Sequence, residues 1–362
     1  MATNSAIEWT HHTFNPWSGC TKVSEGCKFC YAETNYSVKM RGVKWGPHGN
    51  RVVKAESGWK EPLKWDRAAK AAGERHRVFC ASLADVFEHW LGVMVDASDA
   101  ALHVCAECGA WKTMERMCHG PNAHSTLSIE DVRQRLFSLI DTTPNLDWLL
   151  LTKRPENIEK MWPPIDAASA SIETLLTNHM RAVDSRIKAG GIYNDPAAEH
   201  VAYVLERGRV AERPNIWLGT SLENQKTKER IDVLREIPAT IRFLSLEPLL
   251  EDVGELDLRG IHWVIIGGES GPGARPCNIA WIRSIVEQCK AAGVACFVKQ
   301  LGAEPYEAPE GITPNTSGPD AAKCRLYELD MDRKGGNPVE WPHDLRVREF
   351  PVERPLNLED AT

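Results

Sequence analysis

The chain has 362 residues, 43% hydrophobic and 26% charged, with a formal net charge of −7, the make-up of a globular protein with one large domain or two ordinary ones. No apolar run approaches the roughly 18 residues that a membrane span needs, and the acidic balance argues against wholesale non-specific binding to nucleic acid. The opening MATNSAIEWTHHTFNPW has neither a basic n-region nor an apolar h-region, so a cytoplasmic protein without membrane association is expected.

In chain order, an N-terminal strand segment leads into a cysteine loop at 15–33, and a second strand candidate is Arg77-Val-Phe-Cys-Ala-Ser82. Residues 92–127 then separate that strand from its helix and read as an insertion rich in Cys and His. Ser128 is placed to cap a helix through Leu139, with Val132, Leu136 and Leu139 on one face. Leu146–Thr152 is the third strand candidate, followed by a second insertion at 165–213 with apolar residues at helical spacing. Three more buried-type strands follow at Asn215–Ser221, Ile241–Leu246 and Ile261–Gly267, and a seventh at Val294–Lys299. Between them lie a helix carrying Ile231 and Leu234 that stops at Pro238, and another from Ile279 to Gly293. Residues 303–362, with many Pro, Gly and charged residues, read as an irregular extension of a core spanning 1–302.

Repeated strand–helix alternation predicts an α/β fold of parallel βα units. A partial or near-complete parallel β/α barrel fits better than an open doubly wound sheet, because polar residues at most strand ends can converge on one mouth.

Eleven cysteines in a reducing compartment are not a disulfide framework. Cys80, Cys277, Cys289, Cys296 and Cys324 stand alone and read as packing residues. Cys20, Cys27 and Cys30 stand together: a turn points the last two thiolates the same way, and Gly19 and Gly26 let Cys20 return to them. Three thiolates on a four-iron cluster leave one iron open, as chemistry with S-adenosylmethionine requires. A zinc site completed by His11 or His12, or unliganded thiols, are the alternatives.

Cys27-Lys-Phe-Cys30-Tyr31 resembles the second half of the radical SAM signature, although six residues separate Cys20 from Cys27 where the commonest form has three. More widely, the chain resembles the phage Gp37/Gp68-like proteins, a radical-SAM-like family. The resemblance rests on Ile7-Glu-Trp-Thr10, Asn15-Pro16, Ser82-Leu-Ala-Asp-Val-Phe87, Leu151-Thr-Lys-Arg-Pro155, Trp217-Leu-Gly-Thr-Ser-Leu-Glu-Asn224, Phe243-Leu-Ser-Leu-Glu-Pro-Leu249, Gly267-Gly-Glu-Ser-Gly-Pro-Gly-Ala-Arg-Pro276 and Lys299-Gln300. It implies a radical SAM type of barrel, a [4Fe-4S] cluster on the three cysteines, and Phe29 packed near the adenine of S-adenosylmethionine. The implied enzyme takes an electron from a donor, cleaves S-adenosylmethionine and abstracts hydrogen from a substrate, for which a nucleotide or nucleic acid is the expectation.

Asp85, Lys153, Arg154, Ser221, Glu223, Glu247, Glu269, Lys299 and Gln300 all stand at or just past strand ends. An amino-acid moiety needs an anion for its amine and a cation for its carboxylate, and a ribose needs acceptors; Asp85, Lys153 or Arg154, and Glu247 suit those tasks in that order. Solvated charges or salt bridges inside the barrel are the alternative for each. The run after Gly267 lacks the ending of a phosphate loop.

The second group is His103, Cys105, Cys108, Cys118, His119 and His124. The CxxC knuckle and later Cys/His pair suit tetrahedral zinc, with Cys105, Cys108 and Cys118 as ligands and His119, His124 or His103 as the fourth. An auxiliary iron–sulfur cluster or no metal are the other readings. A metal staple would let so short an insert fold, and Lys112, Arg116 and Trp111 beside it offer a surface for substrate or nucleic acid. The competing functional class is therefore a zinc-stapled, non-catalytic nucleic-acid-binding or interaction protein of phage type.

Overall fold

The structure is a computed structural model and describes residues 5, 7–120, 123–162, 213–307 and 334–352. Cys324 and the second insertion, except Arg213, lie outside the described residues.

Seven strands form the main sheet: His12–Phe14 (β1), His76–Cys80 (β2), Leu146–Thr152 (β3), Ile216–Ser221 (β4), Ile241–Leu246 (β5), Trp263–Gly267 (β6) and Ala295–Gln300 (β7). They pair in chain order, each pairing parallel, and the sheet curls into a half-barrel. A doubly wound sheet would reverse its strand order at a switch point. This one does not, so the partial β/α barrel is the observed architecture.

Side chains alternate between the two faces of a strand, and that alternation divides the core. Val78, Cys80, Trp148, Leu150, Ile216, Leu218, Leu244, Leu246, Val264, Ile266, Cys296 and Val298 point to the outer layer. There they meet the helices Glu61–Ala72 (α1), Ile129–Asp141 (α2), Glu229–Arg235 (α3) and Ile279–Ala292 (α4). The intervening residues Phe79, Leu149, Trp217, Ile241, Phe243, Trp263, Ile265 and Phe297 form a separate aromatic-rich cluster with Trp9 on the concave side. Each such residue, fully buried, contributes roughly 1.5–3 kcal/mol. The caps fall where the sequence puts them: the Ser128 hydroxyl accepts from the Asp131 N–H at 3.2 Å while Asp131 accepts from the Ser128 N–H at 2.8 Å, and Gly293 ends α4 at φ +66°. Cys80, Cys277, Cys289 and Cys296 are buried.

The edge strands β1 and β7 do not pair with each other. The gap is bridged by residues 346–350, which the sequence reading leaves as irregular extension. Val298 N–H donates to Val347 O at 2.9 Å and Glu349 N–H to Cys296 O at 2.8 Å, along the free edge of β7. Phe350 then packs on Trp263 and Phe297, with ring centroids 5.5 Å away in both cases, and takes the Arg77 guanidinium of β2 on its face at 4.2 Å. Arg348 pairs with Glu8, just before β1, at 2.8 Å. Trp341 and Leu345 anchor the segment in the outer core.

The insertion after β2 is a three-stranded antiparallel sheet with Leu102–Cys105 between Trp111–Thr113 and His124–Thr126. It docks on the barrel where Trp111 meets Trp59 edge to face at 5.7 Å, with the Arg135 guanidinium of α2 against both rings (4.5 and 4.4 Å) and paired with Glu56.

Candidate functional site

The cysteine loop lies over the C-terminal ends of the strands. Gly19 turns the chain into it at φ +114°, and a β-carbon there would stand 2.6 Å from Asn50 O, so only glycine fits. Glu25–Cys27 is a single 3-10 turn, closed by the Cys27 N–H donating to Ser24 O at 3.0 Å, and Cys30 precedes the short helix Tyr31–Thr34. All three thiols are half-buried. Burial raises the Cys20 thiol, the negative charges of Glu88 and Asp85 push the same way, and Arg154, whose Nη1 lies 3.8 Å from the sulfur, opposes them. Burial raises the Cys30 thiol too, against the N–H groups of Ala32 and Glu33.

Contacts from the loop reach most of the strand ends. Ser24 donates to Glu223 beyond β4 at 2.9 Å, the Tyr31 hydroxyl donates to Ser82 O beyond β2 at 2.9 Å, and Arg275, which follows β6, donates to Glu25 O at 3.1 Å. Lys153 lies within electrostatic reach of Cys30, and Glu247 of Tyr31. Asp85, Lys153 and Glu247 thus stand at one mouth, on the same side as Cys27 and Cys30. Counting every second residue along the inner rows arrives at Lys153, Ser221, Glu223, Glu247, Glu269 and Lys299, above an aromatic floor and a thin layer containing Gly219, Ser245 and Gly267. A β-carbon on Gly219 would stand 2.3 Å from the Phe243 ring, which keeps that layer shallow.

The charges at the mouth are matched with one another. Asp85 is buried and accepts from the Arg154 guanidinium at 2.7 Å, the Thr152 hydroxyl at 2.8 Å, the Phe87 N–H at 3.0 Å and the Lys153 N–H at 3.2 Å. Four donors saturate that carboxylate, so Asp85 and Arg154 build the mouth instead of facing into it. Glu223 is held by Lys153, Ser24 and Arg230, and Glu269 by Arg275 through both its side chain and N–H. Glu247 pairs with Lys299, and both stay partly exposed. The Gln300 amide donates to Gly268 O at 2.8 Å. Phe29 is 39% exposed and carries the Arg275 guanidinium at 5.4 Å.

His11 and His12 do not join the cysteines. At the start of β1, His11 Nδ1 accepts the Arg77 N–H at 2.8 Å, and His12 Nε2 lies 3.1 Å from His76 Nδ1. Burial, Arg77 and His76 together lower His11 to about 4.

In the insertion, the ligand atoms of Cys105, Cys108, Cys118 and His119 all lie within 4.8 Å of one another. Cys108 and Cys118 sulfurs are 3.3 Å apart, and Cys105 Sγ is 3.2 Å from His119 Nδ1. Gly109, at φ +67°, closes the knuckle. Desolvation would raise the Cys105 thiol, but the N–H groups of Cys108 and Glu107 and the side chains of His119 and Cys108 outweigh it and bring it to about 6. The other His119 nitrogen, Nε2, sits 3.2 Å from Glu107, the partner a ligating imidazole ordinarily has. His124 Nε2 is 3.8 Å from Cys118 but stands outside the group, with Nδ1 against Gly120 O. His103 lies on the central strand and is not in the group either. A Cys3His set able to hold a metal is therefore present, with His119 as the fourth donor.

Among the described residues this is the one group so compact. Sulfurs around a single zinc at about 2.3 Å stand about 3.8 Å apart. Cys20, Cys27 and Cys30 are not members of that group. The sequence reading did not single out Glu88, Arg51, Arg230 or Arg275. Glu88, flanked by Phe87 and His89 and three residues from Asp85, carries a weak signal as a charge inside an apolar stretch.

A sequence family described as a protein of unknown function, DUF5131, matches residues 4–114 and 106–328. No curated protein and no solved structure matches the chain. No helix among the described residues is long and apolar enough to cross a membrane.

Proposed function

We propose that this chain, which belongs to the DUF5131 family, is a radical SAM-like enzyme of the phage Gp37/Gp68 type. One observation carries the reading: three thiols on one loop stand over the C-terminal ends of a curled parallel sheet, where β/α-barrel enzymes place their chemistry. Cys20, Cys27 and Cys30 would hold a [4Fe-4S] cluster. When bound, that cluster keeps one iron open to the methionine end of S-adenosylmethionine and supplies the electron that breaks a carbon–sulfur bond.

The remaining work falls to the chain's own side chains. Phe29 offers an aromatic face at the mouth for the adenine. Glu247 and Lys299, paired but partly exposed, are a carboxylate and an ammonium able to exchange each other for a zwitterion or a ribose. The aromatic floor of Trp217, Phe243 and Trp263 excludes water from below. A nucleotide or nucleic acid is the substrate class proposed, and an external reductant the partner.

Anaerobic purification followed by reconstitution with iron and sulfide tests this. The expected outcome is a brown protein absorbing at roughly 400 nm that releases methionine and 5′-deoxyadenosine from S-adenosylmethionine on reduction. Each of Cys20→Ala, Cys27→Ala and Cys30→Ala should abolish both signals, whereas Phe29→Ala should keep the iron and weaken cofactor binding. A colourless protein carrying only zinc would favour the second reading, a non-catalytic interaction or nucleic-acid-binding protein. The observation behind that reading is the Cys3His group, which we assign to one structural zinc because its ligand types and spacing are those of a closed tetrahedral site.

A further inference from the structure

Thr21, the residue after Cys20, has each of its polar groups taken by a different buried charged side chain. Its N–H donates to Glu88 Oε1 at 2.8 Å, its carbonyl accepts from Arg154 Nη2 at 2.6 Å, and its hydroxyl accepts from Arg51 Nη2 at 3.0 Å. Arg51 and Glu88 are both 0% exposed and are joined by two bonds, Nη2 to Oε1 at 2.7 Å and Nε to Oε2 at 2.9 Å. Arg154 approaches Glu88 at 3.8 Å and is neutralised by Asp85 at 2.7 Å. The result is a closed set of two guanidiniums and two carboxylates under one end of the cysteine loop.

Such a set is an expensive way to fill space. Desolvating charges offsets most of what their attraction returns, and apolar residues of equal volume stabilise a core as well or better. What apolar residues cannot do is hold a residue by its backbone N–H and its carbonyl at once. The loop has need of that. Cys27 and Cys30 are fixed to each other by a local turn, but Cys20 is separated from Cys27 by six residues, with glycines at 19 and 26.

We propose that Arg51, Glu88 and Arg154 form a clamp that positions Cys20 as a ligand by gripping Thr21, doing for a long cysteine spacing what a short one achieves by itself. All three act as positioning residues; Arg154 also sets a permanent positive charge 3.8 Å from the sulfur. The ligand role of Cys20 rests on the cluster reading above, whereas the clamp itself is a property of the chain without iron.

The test has two arms in the full-length protein. Before iron is added, iodoacetamide labelling followed by residue-resolved mass spectrometry reads how tightly Cys20 is held. Glu88→Gln, which keeps the shape and removes the charge, should raise the Cys20 labelling rate at least tenfold over wild type, leave Cys27 within about twofold, and speed hydrogen–deuterium exchange of the Thr21 N–H at least tenfold, a readout that easier ionisation of the thiol without the Glu88 charge would not move. The double variant Arg51→Met with Glu88→Leu, an apolar pair that preserves packing, should do the same and serves if Glu88→Gln does not fold. After anaerobic reconstitution, both variants should bind less than half the wild-type iron, with an altered electron paramagnetic resonance spectrum in what remains. Wild-type Cys20 labelling in the folded double variant, or faster labelling with wild-type exchange at the Thr21 N–H, would overturn the clamp. Protected Cys20 in a wild-type chain that takes up no iron would uphold the clamp and sink the cluster reading.

Discussion

Gly26 in the cysteine loop and Glu223 beyond β4 are in such close approach that a β-carbon on the glycine would stand 2.4 Å from Glu223 Cγ and 2.6 Å from its Oε1. The carboxylate cannot retreat easily, because it is fully buried and also holds Ser24, Lys153 and Arg230. The backbone at Gly26 is not left-handed, so the demand for glycine here is steric.

Gly26→Ala should therefore lift the loop off the strand ends without unfolding the barrel. The expected result is a chain with a normal melting temperature, to within a few degrees, that binds markedly less iron than wild type. Gly42→Ala is the control for backbone strain, since Gly42 has φ +65° with nothing within 4 Å of its added carbon. If Gly26→Ala retains full iron, the packing of Gly26 on Glu223 does not set the loop's position.

The two metal groups should titrate independently. Cys105→Ala is expected to remove zinc and leave iron in place, by elemental analysis. Glu107→Ala, which takes the partner from His119 Nε2, should weaken zinc binding by about 10–100-fold in a chelator competition. Joint loss of both metals from Cys105→Ala would show that the insertion and the loop are one site.

Acid should weaken the N-terminal edge of the sheet through His11. Its folded-state value is about 4, below the ordinary histidine value of 6.5, so below 6.5 the unfolded chain binds the proton more readily. The stability this neutral imidazole contributes is present above about pH 6.5, declines as the pH falls, and is gone below about pH 4. His11→Asn, whose side-chain oxygen can stand in for the Nδ1 acceptor, should flatten that part of the curve. Urea midpoints at pH 7 and pH 5 give the comparison; an unchanged difference in the variant would remove His11 as its source.

Trp341 is 1% exposed and its indole N–H donates to Gly335 O at 3.0 Å. Trp341→Ala should cost about 3–5 kcal/mol of stability, as for other large-to-small core changes. Folded molecules of the variant should still bind both metals, because Trp341 touches neither group. Chemical denaturation measures the loss, and a change below about 1 kcal/mol would mean that the segment at 334–352 is not part of the core.

Much of the barrel could be read directly from the sequence because its strands are buried on both faces and announce themselves as continuous apolar runs. Leu146–Thr152 and Ile241–Leu246 fall where the runs do. The Ser128 cap and the Gly293 stop were equally legible, being local chemistry. The pairing of charges at the mouth was not. Asp85 and Arg154 look alike in sequence whether they face a ligand or each other, and only the fold brings residues so far apart in the chain to 2.7 Å. The closing segment was hidden for a related reason: residues 346–350 carry too few apolar positions to resemble a strand, and their role comes from the open edge that they meet.

That edge has a consequence for how the protein is made. Neighbouring strands follow one another in the chain, so β1 to β7 can associate as they emerge from the ribosome. Phe350, which covers Trp263 and Phe297, follows β7 by some fifty residues. At about 5–20 residues per second this leaves roughly 3–10 s in which the half-barrel is assembled but unsealed. During that interval the nascent chain offers an aromatic face and an unpaired strand edge to any chaperone or neighbouring chain within reach.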